Sequence, residues 1–127
     1  MDLQEYFENH TGSGILATAD ADGNVDLAVY ARPHVKDNGT VSFIMHDRLS
    51  HHNLQSNPHA AYIFIEGQGG YRGKRLYLTR SREETDPEKI ADMRRRTTPD
   101  SHSDERKLLV TFSVDRVRPA VGTEDER

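Results

Sequence analysis

Residues 45–65 read MHDRLSHHNLQSNPHAAYIFI. The stretch closes one apolar run at Met45, breaks into a polar patch, and opens a second apolar run at Ala60. Asp47 is a good N-cap, residues 48–56 hold no Gly or Pro, and Pro58 stops a helix because the residue before a proline avoids the helical region. Leu49, His52, Asn53 and Ser56 fall at helical offsets, which predicts a two-turn helix over 48–56. HAAYIFIE (59–66) follows as a strand, central by its Tyr, Ile and Phe content. A short polar helix joining two good strands is thus the hinge of the fold.

On the N-terminal side, Leu3, Tyr6 and Phe7 in DLQEYFENH predict a short amphipathic helix over 2–10. GILATA (14–19) has strand length, and the Asp-Gly pair of DADGN (20–24) suits a hairpin. VDLAVYAR (25–32) alternates, with Val25, Leu27, Val29 and Ala31 on one face and Asp26, Ala28, Tyr30 and Arg32 on the other. That is the period of a half-buried strand. After Pro33 and a turn at KDNG (36–39), TVSFIM (40–45) resumes the β pattern, so three strands are expected in meander order.

On the C-terminal side, GQGGYRG (67–73) reads as a hairpin loop rather than a phosphate loop. It lacks GxxxxGK[ST] and GxGxxG, and no helix follows it. Leu76, Leu78 and Arg80 alternate with Arg75, Tyr77 and Thr79 over 74–83. ETDPEKIADMRRRT (84–97) starts with Asp-Pro-Glu and ends in arginines, which predicts a helix whose charges complement its dipole. TPDSHSDE (98–105) is a linker. Residues 106–122 form a last strand, with Leu109, Thr111 and Ser113 facing one way and Leu108, Val110, Phe112 and Val114 the other. The expected fold class is mainly β (α+β), an antiparallel barrel, closed or nearly so, with short flanking helices. Residues 1–122 form one domain and 123–127 a disordered acidic tail.

Composition narrows the function. Of the 127 residues, 34% are hydrophobic and 30% charged, so a lone core is thin and a cofactor or subunit interface would help cover it. The absence of cysteine excludes disulfides and thiolate metal sites. The net charge of -4 argues against a general nucleic-acid binder, and Arg94, Arg95 and Arg96 read as a solvated helix end. No apolar run has membrane-span length, and the acidic N-terminus is unlike a signal peptide, so a soluble cytoplasmic protein is expected, with no membrane partner.

The patch itself admits several chemistries. His46, His51 and His52 lack HExxH or an i,i+4 pair beside a carboxylate, and His51 and His52 point to different sides of a helix. They read as exposed histidines, with no metal site. Asp47, Ser50 and His51 have no nucleophile elbow around them. An anion seat has a mechanism: helix-start N–H groups, the Ser50 hydroxyl, and Arg48 or Arg32 as a phosphate-binding cation. Phe43, Ile44 and Met45 would lie beside the ligand's flat part. On the residues alone, this reading and a plain surface crossover helix both stand.

GILATADADGNVDLAVYA, GTVSFIM, a polar helix ending Asn53-Leu54…Asn57-Pro58, and AAYIFIE together resemble the FMN-binding split barrels related to pyridoxamine 5′-phosphate oxidase, over roughly residues 5–117. The resemblance implies a homodimer of six-stranded antiparallel split β-barrels with FMN at the subunit interface. Val29, Tyr30 and Ala31 and the strand end at Phe43, Ile44 and Met45 would run along the isoalloxazine and ribityl chain. Leu49 and Ser50 would hold the phosphate, Arg32 would assist, and Asn53 of the marker motif joins the cofactor-binding set. Members of the family carry Lys or Arg in the first helical turn, where this chain has Leu49 and Ser50; Arg48, His51 and His52 are the replacements at hand. Related split barrels bind F420 or haem, so cofactor identity does not follow from fold.

The C-terminal GTEDER is not the arginine-rich ending of the oxidase, so its reaction is not assigned. The expected function is an FMN-dependent oxidoreductase acting on a small molecule or a redox partner. The alternatives are a non-catalytic electron carrier and a haem or F420 protein. No side chain stands out as acid or base; Tyr30 and His46 are the nearest.

Overall fold

The computed structural model describes residues 2–37, 39–46, 48–85 and 107–122. Helix α1 (Leu3–Asn9) opens with Asp2 as N-cap, its carboxylate accepting from the Glu5 amide at 3.1 Å, and it buries Leu3 and Phe7. Then come β1 (Gly12–Ala19), β2 (Val25–Val29), β3 (His34–Asp37), β4 (Thr40–His46), α2 (Leu49–Ser56), β5 (His59–Glu66), β6 (Gly73–Glu84) and β7 (Lys107–Pro119). All neighbours are antiparallel, in the order β2-β1-β5-β6-β7-β4-β3.

The β class, the short helices and most strands match the sequence reading, and β5 matches it residue for residue. His34–Asp37 adds a short strand that pairs with β4 through a bulge between Val35 and Asp37. The expected helix over 84–97 falls, past Glu84 and Thr85, outside the described residues, as do the linker over 98–105 and the tail over 123–127. Asp47 lies outside them too. The N-cap position of α2 is Arg48, in extended backbone and without a side-chain cap bond.

One expectation needs correction. The first three strands are not a meander: β1 pairs with β2, but the next segment pairs as β3–β4, at the other end of the sheet order. Residues 30–33 make that passage. Tyr62 of β5 donates its hydroxyl to the carbonyls of Tyr30 (3.2 Å) and Ala31 (3.1 Å), and Pro33 contributes no N–H. So β2 stops at Val29 rather than Arg32. The structure also distinguishes the two faces of this strand, which the alternation leaves unassigned. Val25, Leu27 and Val29 are 80%, 69% and 81% exposed, while Asp26 and Ala28 are half-buried. Period two separates two faces but does not say which one turns inward.

The core lies inside the curled sheet. Leu16, Tyr62, Phe64, Leu76, Leu78, Leu108, Val110 and Phe112 fill it, with Phe7 of α1 and Leu54 of α2 closing its ends. Phe43 packs on Tyr62 and edge-on to Phe112, with ring centroids 4.9 and 5.9 Å apart. β7 is buried on both faces from Leu108 to Phe112, and Ser42 and Thr111 meet there through a 2.8 Å hydrogen bond between their hydroxyls.

Candidate functional site

The two ends of the sheet order, β2 and β3–β4, line a common cleft of about 510 Å³. One wall is Asp26, Ala28 and Val29 of β2 with Tyr30, Ala31 and Arg32 beyond it. The other is His34, Phe43, Ile44 and His46. Arg48, Leu49 and Ser50 at the start of α2 complete the lining, together with Lys107. Lys107 belongs because β4 and β7 pair with His46 opposite Lys107.

Nine of the eleven sequence candidates meet here: Val29, Tyr30, Ala31, Arg32, Phe43, Ile44, Arg48, Leu49 and Ser50. Met45 does not line the cleft; it is fully buried in the core. Asn53 is buried too, and its side-chain amide donates to Thr18 Oγ1 at 3.1 Å, tying α2 to β1. Asp26, Ala28, His34 and Lys107 are lining residues that the sequence reading did not single out. Asp26 and Ala28 share the face of Tyr30 by alternation and were within reach of it. Lys107 is brought in only by strand pairing across sixty residues of chain.

The chemistry is graded along the cleft. Tyr30, Phe43, Ile44 and Ala28 offer flat apolar surface, and Tyr30 meets Phe43 edge-on at 5.9 Å. At the α2 end stand two cations, Arg48 and Lys107, and the buried Ser50 in the first helical turn. Burial pushes the Tyr30 hydroxyl above its ordinary range. A hydrogen bond with Ser50 and the charge of Arg48 offset part of that rise, and Asp26 adds to it. Tyr30 is therefore a neutral phenol at pH 7, a donor rather than a base. Arg32 is partly engaged: one terminal nitrogen donates to the carbonyls of Phe7 (2.6 Å) and His10 (2.7 Å), binding the end of α1.

The histidines of the patch divide. His52 is exposed, as expected, but His51 is buried and its Nε2 lies 3.1 and 3.0 Å from the two carboxylate oxygens of Glu83. Among the described residues, no group of three or more His, Cys, Asp or Glu is arranged to hold a metal ion. No described helix is long and apolar enough to cross a membrane.

No protein-family model matches the chain, and no curated protein does. Solved structures do match in shape. An FMN-binding protein from Syntrophomonas wolfei superposes with a TM-score of 0.76 at 16% identity, covering 96% of this chain and 86% of that one. HutZ, the haem storage protein from Vibrio cholerae, gives 0.69 at 20% identity, covering 94% and 95%. A candidate pyridoxamine 5′-phosphate oxidase from Lactobacillus delbrueckii gives 0.67 at 16% identity, covering 91% and 89%. At these identities the likeness is one of fold, and the fold of this chain is the split barrel of the pyridoxamine 5′-phosphate oxidase-like proteins.

Proposed function

We propose that the cleft binds FMN, that the chain works as a homodimer, and that it is an FMN-dependent oxidoreductase. The observation that carries this reading is the grading of one cleft from aromatic and aliphatic walls to two cations and a buried serine at a helix start. A ring system suits the first part and a phosphate the second. Lys107 and Arg48 supply the charge that the first turn of α2 lacks. They take the role expected of Arg32, which is partly committed to α1. Flavin, when bound, supplies the redox chemistry; the chain's residues hold it, orient it and exclude water.

The dimer is supported by the outer face of β2, β1 and β5. Ile15 pairs with Val29 on one side and Ile63 on the other, and Ala17 likewise with Leu27 and Ala61. These residues lie on one face of the sheet, where Ile15, Leu27 and Val29 are exposed and Val29 also lines the cleft, an apolar patch of the kind that marks an interface.

A second reading, haem, is favoured by His34 and His46 in the cleft wall, since imidazole is a common axial ligand. The test is uptake by the purified protein. Saturable FMN binding, tighter than riboflavin binding, is the expected result; haem uptake with no flavin uptake overturns it. Reduction of the bound flavin by NAD(P)H, then turnover with a second acceptor, supports an enzyme. Reduction by a protein partner alone favours an electron carrier.

A further inference from the structure

A part-buried network of hydrogen bonds and ion pairs adjoins the proposed phosphate seat. His51 follows Ser50 in the first turn of α2 and is 7% exposed. Its Nε2 faces both oxygens of Glu83, near the end of β6. Gln55, one helical turn on, donates from its side-chain amide to the His51 carbonyl at 3.1 Å and to Glu83 Oε2 at 3.3 Å. Arg80 approaches the same oxygen at 3.6 Å from its own strand. Glu83 thus grips α2 at two points, and neither Glu83 nor His51 lines the cleft.

We propose that Glu83 is a positioning residue for the anion seat, acting through His51 to fix the first turn of α2 so that Ser50 and the helix-start N–H groups face the ligand's phosphate. This rests on the phosphate reading of the cleft. The physical ground is that the first turn of this short helix needs contacts from outside it to hold its N–H groups in place. Its N-cap, Arg48, makes no side-chain cap bond. Without an anchor, a first turn frays, and its N–H groups lose their aim. Two side-chain contacts tie this turn to the rest of the barrel: the buried His51 with Glu83, and the Ser50 hydroxyl with Tyr30.

The test compares FMN with riboflavin, which lacks the phosphate, in wild type, Glu83→Ala and Glu83→Gln. Glu83→Ala removes the grip on His51; Glu83→Gln keeps an acceptor for the imidazole N–H. Loss of one charge-assisted hydrogen bond behind the seat is expected to weaken FMN by about tenfold in Glu83→Ala. Riboflavin affinity should be unchanged, and Glu83→Gln should recover most of the loss. An equal fall for both ligands would mean general loosening, and tighter FMN binding in both variants would mean that the cleft senses only the carboxylate charge. Either result, or no change, overturns the inference while leaving the cleft reading intact. A wild type that binds FMN no better than riboflavin overturns the phosphate seat itself, and this inference with it.

Discussion

Tyr62 on β5 donates its hydroxyl to the Tyr30 carbonyl, 3.2 Å away, and so fixes the passage where the chain leaves β2 to form the cleft wall. The bond reaches from the centre of the core to the edge of the cleft, and the hydroxyl also serves Ala31. Burial raises the Tyr62 hydroxyl well above its ordinary range, with Arg32 opposing weakly. Its folded-state value is therefore above the unfolded one. The stability tied to it is fully present below about pH 10 and is lost as pH rises beyond that. Tyr62→Phe should cost about 1 kcal/mol in urea unfolding at pH 7 and make the alkaline fall shallower. An unchanged alkaline limb in the variant would contradict the assignment.

Gly14 faces the same tyrosine. A Cβ there would stand 1.8 Å from the Tyr62 hydroxyl oxygen and 2.6 Å from the Tyr30 carbonyl oxygen. Gly14→Ala should destabilise by about 1–3 kcal/mol, as overpacking does. Tyr62→Phe in the same chain should relieve only part of this, because the backbone contact remains. Thermal unfolding of the two single variants and the double variant measures the coupling.

Glu83 contributes to the acid limb of stability. Desolvation pushes its carboxyl up, but hydrogen bonds from His51 and Gln55, with the charges of His51 and Arg80, outweigh that and hold it below its usual value. Its contribution is present at neutral pH and lost as pH falls through the lowered folded value. Stability measured down the acid limb should fall less steeply in Glu83→Gln than in wild type.

The cations at the α2 end should behave as phosphate partners. Lys107→Ala and Arg48→Ala should each weaken FMN by about tenfold, reduce the salt dependence of binding, and leave riboflavin unaffected. Equal loss of both flavins would move these residues away from the phosphate.

Leu27 is 69% exposed, so Leu27→Glu should fold with nearly wild-type secondary structure. Within a homodimer it would bury a charge in an apolar interface. Gel filtration should show the variant as monomer where the wild type is dimer. A wild-type monomer at micromolar concentration would reject the interface.

What could be read from the sequence divides along physical lines. Strands β1, β5 and β6 were legible because alternation and turn residues are local signals. The Asp-Gly turn is one such case: Gly23 takes a positive φ of 85°, and Asp20 accepts from the amides of Asp22 and Asn24. Which face of β2 turns outward was not legible, since an apolar stripe looks the same in sequence whether it meets the core or faces away from it. The passage from β2 to β3 depends on Tyr62, more than thirty residues away in the chain, and β3 itself is too short to show a period. Within the cleft, Arg32, Arg48 and Ser50 came from the anion-seat reading of the polar patch, and Val29, Tyr30, Ala31 and Leu49 from the resemblance to the split barrels. Lys107 was missed because only the pairing of β4 with β7 makes it a neighbour of His46. Met45 was included as the end of its strand and Asn53 as part of the marker motif of the resemblance; Met45 is buried in the core, and Asn53 bonds Thr18.

The guanidinium of Arg32 touches two carbonyls of the N-terminal segment while its own residue belongs to the cleft wall. The first ten residues are therefore mechanically joined to the cleft wall. A truncation, or a bulky fusion that pried α1 from the barrel, would free the Arg32 guanidinium from these two carbonyls and alter the charge the cleft presents, although no residue at the cleft had been altered.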